Sequence, residues 1–101
     1  MRMIMLVNFP LEPFNTAVRN GTAGTKVKQI LDDAKPEAAY FGEREGKRGG
    51  IIVITVNSAS EIPKFAEPWF LTFNAEMEFR VAMTPEDLGH ANLEALGKKW
   101  G

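Results

Sequence analysis

From Glu76 to Met83 the chain alternates strictly: Glu76, Glu78 and Arg80 fall on one side, Met77, Phe79, Val81 and Met83 on the other. A period of two over this length predicts a strand with one buried and one polar face. Two other runs are apolar on both faces. Met3 to Phe9 is broken only by Asn8 and closed by Pro10 and Pro13, while Ile51 to Val56 is polar only at Thr55. Both read as central strands of a sheet. A shorter, mixed strand is expected from Glu37 to Glu43, with Tyr40 and Phe41 on opposite faces. Gly46, Gly49 and Gly50, with Lys47 and Arg48 between them, predict a flexible exposed turn that joins it to Ile51 as a hairpin.

Between the strands the period changes. Phe14, Ala17, Val18, Gly21, Gly24, Val27, Ile30, Leu31 and Ala34 follow helical spacing, with Pro13 suited to the first turn and Lys35-Pro36 as a stop. Gly21 and Gly24 each cost about 1 kcal/mol against alanine inside a helix. Either the helix starts near Thr22, after a loop, or these glycines let its backbone approach a sheet or another helix closely; a continuous or locally broken helix to about Ala34 is expected. Ser58-Ala-Ser-Glu61 is a capping-box pattern ahead of Ile62, Phe65, Ala66, Trp69 and Phe70, an amphipathic helix with an aromatic stripe that belongs in the core. Pro68 predicts a kink or a fresh start at Glu67, and Asn74 suits a left-handed cap. Thr84-Pro85-Glu86-Asp87 opens a last helix, expected to reach Leu96 and stop at Gly97, leaving Lys98 to Trp100 as a tail.

The resulting order is β, α, β, β, α, β with an extra C-terminal helix: an α+β, ferredoxin-like arrangement whose four-stranded antiparallel sheet has the order 4-1-3-2. That order puts the two doubly apolar strands in the centre and the two mixed ones at the edges, as their patterns require. Helices cover one face, so the apolar residues on the other face of the central strands would stay exposed in a monomer, and a homodimer with the two sheets face to face is expected. The element order, the length, the apolar central strands and the segment Glu-Pro-Trp-Phe-Leu-Thr-Phe-Asn at 67 to 74 resemble the dimeric α+β barrel superfamily, which includes muconolactone isomerase-like and antibiotic-biosynthesis monooxygenase-like proteins. The resemblance is one of architecture. It implies a cavity between sheet and helices that often holds a small organic molecule, and it carries over no catalytic residue.

The length of 101 residues and a hydrophobic share of 45% fit one domain spanning 1–101. The balance of 12 Lys and Arg against 13 Asp and Glu offers no global field for nucleic acid or an anionic membrane. With no cysteine and only His90 as histidine, no metal cluster and no cofactor is expected. The N-terminal apolar run is cut by Asn8 and Pro10, no segment reaches the roughly 20 apolar residues of a membrane span, and a soluble cytoplasmic protein is expected. Arg19 to Lys26 departs from a phosphate loop in glycine spacing and residue order, and Asn20-Gly21-Thr22 is a chance glycosylation match without a secretory signal.

The candidate catalytic residues are Glu76 and Glu78, two carboxylates on one strand face whose proximity could raise one pKa, and His90 as a proton shuttle or haem ligand. Against these stand a solvated edge strand, with Arg80 pairing one of the carboxylates, and a solvent-facing helical histidine. Tyr40, Asn8, Thr55 and Arg80 are the candidate ligand-binding groups on strands. Two functions remain open: a dimeric domain that binds, and in one version transforms, a small apolar or aromatic molecule without a metal, or a non-catalytic structural or interaction module.

Overall fold

A computed structural model describes residues 1–101. Four strands, β1 (Arg2–Phe9), β2 (Ala38–Arg44), β3 (Lys47–Thr55) and β4 (Glu76–Ala82), form one antiparallel sheet in the order β2-β3-β1-β4. This is the ferredoxin-like 4-1-3-2 order, with both doubly apolar strands inside. In register, Met5 lies opposite Ile52 on one side and Phe79 on the other, and Ile52 lies opposite Ala39, so all four strands present apolar side chains to the same face. Met3, Met5, Val7 and Phe9 are buried there with Ile52 and Ile54, against Ala17, Ala23, Ile30, Phe65, Trp69 and Phe73 of the helices. The other face carries Arg2, Ile4, Leu6 and Asn8 from β1, Ile51, Val53 and Thr55 from β3, Tyr40 from β2, and Glu76, Glu78 and Arg80 from β4. No element of the chain buries it: Ile51 stays 43% and Tyr40 69% exposed.

The first helical stretch is broken into α1 (Phe14–Arg19) and α2 (Ala23–Ala34). The break is local, at Gly21, whose φ of +78° needs a glycine. Close approach is not the reason for either glycine, because a Cβ at Gly21 or Gly24 would meet nothing within 4 Å. Lys35 then ends α2 in the left-handed conformation.

The hairpin differs from expectation. β3 begins at Lys47, so only Glu45 and Gly46 form the turn, both with positive φ, as a two-residue hairpin loop of type I′ demands. Gly49 and Gly50 are buried strand residues and not part of a flexible loop. They are glycines because of what crosses them. A Cβ on Gly49 would lie 2.6 Å from the Arg44 side chain, and one on Gly50 would lie 3.1 Å from the Phe41 ring.

Ser58 and Glu61 form the expected capping box, here around a 3₁₀ turn (Ala59–Glu61) that leads into α3 (Ile62–Phe73). α3 passes through Pro68 as one helix, with no fresh start at Glu67, and ends at Asn74 in the left-handed conformation. Burial of Phe65, Ala66, Trp69 and Phe73 holds the helix across the proline.

The C-terminal segment is two helices instead of one helix and a tail. α4 (Pro85–His90) has a Thr84–Asp87 capping box, and α5 (Leu93–Trp100) starts after Asn92, whose φ is +55° and whose side chain accepts a hydrogen bond from the Ala95 amide. That side-chain cap breaks the helical run, and α5 continues through Gly97. No helix of the protein is long and apolar enough to cross a membrane.

Candidate functional site

An open cavity of about 520 Å³ lies on the helix side of the sheet, at the hairpin end. Phe9 closes β1 at its floor, Phe14 and Val27 come from α1 and α2, and Phe41 with Glu43 and Gly46 to Gly49 come from the hairpin. Its walls belong to an aromatic cluster. Phe9 meets Phe14 edge-on at 5.1 Å and Phe73 at 5.5 Å, Phe14 stacks on Phe73 at 4.7 Å, and Phe41 lies 6.4 Å from Trp69. Edge-to-face and offset contacts at these distances fix the rings in place. Behind them Trp69 is 1% exposed, and its indole N–H is buried without an acceptor.

The rim is cationic. Arg48 stacks over the Phe14 ring at 4.6 Å while its Nη1 donates to Asn15 Oδ1 at 2.7 Å, so the guanidinium is oriented across the mouth. Lys47 is exposed beside it. Glu43 is the one carboxylate of the lining, and it accepts from the Gly46 amide within the turn. The arrangement can clasp a flat apolar ring between phenylalanines and meet a negatively charged substituent at the rim.

None of the candidate catalytic or ligand-binding residues named from the sequence lines this cavity. Asn8, Glu76 and Glu78 do come together, in a smaller polar cavity of about 160 Å³ on the open face, with Arg44 and Glu45. There Asn8 Oδ1 is buried without a donor, and Glu78 pairs with Arg80 at 2.8 Å. Tyr40 is exposed further along the same face, next to Ile51. At its far end Thr55 donates to Glu37, which also accepts both hydrogen bonds of the Arg2 Nε, at 3.0 and 2.7 Å. The Arg2 guanidinium holds Glu37 below the usual carboxylate range, and Glu37 in turn raises Arg2. Asp87 is lowered likewise, first by the Thr84 backbone amide. His90 ends α4, exposed and outside the lining of the aromatic cavity. No group of three or more histidine, cysteine, aspartate or glutamate side chains is placed to hold a metal ion.

The resemblance implies a cavity between sheet and helices, but the residues that line this one read differently in one dimension. Phe14 read as an apolar position of a helix, Phe41 as one side of a short mixed strand, and Lys47 to Gly49 as an exposed turn. The readable signal was Gly49-Gly50 abutting the strongest β run, opposite a phenylalanine that needs space.

No protein-family model matches the chain, and no curated protein matches it. Among solved structures, the chain is similar to 5-chloro-2-hydroxyhydroquinone dehydrochlorinase from Burkholderia phenoliruptrix, in complex with 2,5-dihydroxybenzoquinone, with a TM-score of 0.59 and 14% identity over 85% of this chain and 97% of that one. It also matches a de novo designed protein, Ferredog-Diesel, with a TM-score of 0.44 and 13% identity over 79% of this chain and 83% of that one. At 14% identity the dehydrochlorinase supports the fold alone.

Proposed function

We propose that this protein is a homodimeric domain that binds a small aromatic molecule, with an anionic or acidic oxygen substituent, in the cavity lined by Phe9, Phe14 and Phe41. The observation that carries this is the combination of aromatic walls and an oriented Arg48 across the mouth. Small-molecule sites are concave, largely apolar and furnished with a few placed polar groups, and this cavity has all three properties. The ring would gain contact area from the phenylalanines, and the substituent would gain a charge-assisted hydrogen bond. The structurally similar dehydrochlorinase accommodates a dihydroxybenzoquinone, a molecule of this size and type, which makes that compound a reasonable first probe. The dimer is assigned to the open face of the sheet, where Ile4, Leu6, Ile51, Val53 and Tyr40 form a continuous apolar strip.

The test is ligand-dependent melting across aromatic acids and hydroxyquinones, with haem included. A ligand at about 100 times its Kd stabilises the fold by about 2.7 kcal/mol, a readily measured rise in Tm. Phe14→Ala should remove most of that rise, and Arg48→Gln should remove it selectively for ligands carrying the anionic group. If no compound shifts the native Tm, the binding proposal fails. If ligands shift it equally in both variants, the site is elsewhere.

A further inference from the structure

The C-terminal arm has no place on its own chain. Every residue from Pro85 to Gly101 is exposed, and neither α4 nor α5 buries a residue. Yet α5 is amphipathic in sequence. Leu93, Leu96 and Trp100 recur at i, i+3 and i+7 and so share one face, while Glu94 and Lys98 pair at 3.6 Å on the other. The face is bare: Leu93 is 57%, Leu96 46% and Trp100 76% exposed. Between the two helices, Pro85, Leu88, Gly89 and Leu93 line an open cleft of about 440 Å³.

Two quantities show how far this departs from a self-contained chain. A compact domain of this length has a radius of gyration of about 13 Å, whereas this chain has 17.1 Å and spans 60 × 28 × 19 Å. A folded monomer of 11.2 kDa exposes about 5,700 Å² by the usual size scaling, whereas this one exposes 6828 Å². The excess of about 1,100 Å² is comparable to the roughly 800 Å² that each partner contributes to a stable interface. Helices of six and eight residues are also too short to persist in water without packing, so α4 and α5 require a surface that their own chain does not supply.

We infer that the arm from Thr84 to Gly101 crosses to a second copy of this chain and packs its Leu93, Leu96 and Trp100 stripe on that copy. A second copy is the occupant that the area favours, because each chain then supplies both an arm and a body, and the two-fold exchange covers both arms at once. The inference shares with the proposed function the existence of a dimer, but not the contact between sheets or the aromatic cavity.

Leu93→Ser/Leu96→Ser tests it, since both side chains touch no core of their own chain and the variant keeps its sheet and the helices α1 to α3 that pack on it. Sedimentation equilibrium should show association weakened at least about tenfold, as expected for two anchor leucines at an interface. Acrylamide quenching of Trp100, resolved from the buried Trp69 by comparison with Trp100→Phe, should be slow in the native dimer and fast in the double variant. A double variant that associates as tightly as the native protein, with Trp100 freely quenched in both, overturns the inference while leaving a dimer through the sheet. A native protein that stays monomeric at concentrations on the order of 100 µM, with Trp100 freely quenched, overturns it too and leaves the arm for a different partner. In either case the ligand-induced melting shifts are unaffected, so the aromatic site is tested separately, and only the monomer outcome also removes the dimer through the sheet.

Discussion

At Gly50 a single missing side chain makes room for the wall of the proposed binding site. The Phe41 ring would lie 3.1 Å from a Cβ there, so any larger residue moves the ring toward solvent, where it is already 48% exposed. Gly50→Val adds strand propensity while evicting Phe41, and the two effects offset to within about 1 kcal/mol in urea denaturation. Affinity for the aromatic ligand should nevertheless fall about tenfold, because one face of the ring loses its partner. Unchanged affinity would remove Phe41 from the site. A second residue-scale effect lies at Glu37, whose folded pKa is depressed below its ordinary value of 4.5 by Arg2. A depressed carboxylate stabilises the fold at all pH above that value and loses the contribution as pH falls through the lower folded pKa. The Tm difference between native protein and Glu37→Gln should therefore be constant near neutrality, shrink as the pH drops below 4.5 and vanish once it has fallen through the lower folded pKa. It should also shrink in high salt, since the pair is exposed. At this scale the sequence was partly legible. The pairing of Arg80 with a carboxylate and the exposure of His90 followed from strand alternation and helix position. The polar cavity of Asn8, Glu76 and Glu78 was half visible, because those residues were recognised, whereas Arg44 reaches them only by lying across Gly49, a cross-strand relation that composition does not carry.

The elements were legible wherever one period held over a long run. β1, β3, β4 and α3 were all placed to within a few residues, and the sheet order followed from which strands were apolar on both faces. Errors occurred where a side chain or a backbone dihedral overrode the pattern. Asn92 caps α5 with its own amide and splits a run that looks like one helix, and Glu45 takes a positive φ so that the turn is tighter than its glycines suggest. Glu45 is an expensive residue in that conformation, for steric reasons that asparagine partly escapes. Glu45→Asn should therefore stabilise the hairpin by about 0.5–1 kcal/mol without altering the aromatic cavity. The check is the urea midpoint at constant m-value. A loss of stability would mean that Glu45 makes a compensating contact through the polar cavity it lines.

At the scale of the molecule, the open sheet face and the projecting arm are two symptoms of one condition: the chain buries one face of its sheet and leaves these further apolar surfaces uncovered. The face alone carries Ile4, Leu6, Ile51, Val53 and Tyr40, with Arg2, Arg44, Glu78 and Arg80 around it. An apolar centre with a charged rim is the anatomy of a protein interface. If two copies meet there, folding and association are coupled, and Tm must rise with protein concentration. Ile51→Asp places a charge at the centre of the strip, opposite Leu6 and Tyr40, on a side chain that is already 43% exposed in the single chain. The substitution therefore costs the isolated fold little but would bury an unpaired carboxylate in the dimer, a penalty of several kcal/mol. The variant is expected to be folded by circular dichroism, monomeric by sedimentation at micromolar concentration, and to melt at a temperature independent of concentration. The native protein should melt higher at each tenfold increase. A native Tm that ignores concentration, with the mass of a monomer, would mean that this face is solvated and that the sheet contributes no dimer contact.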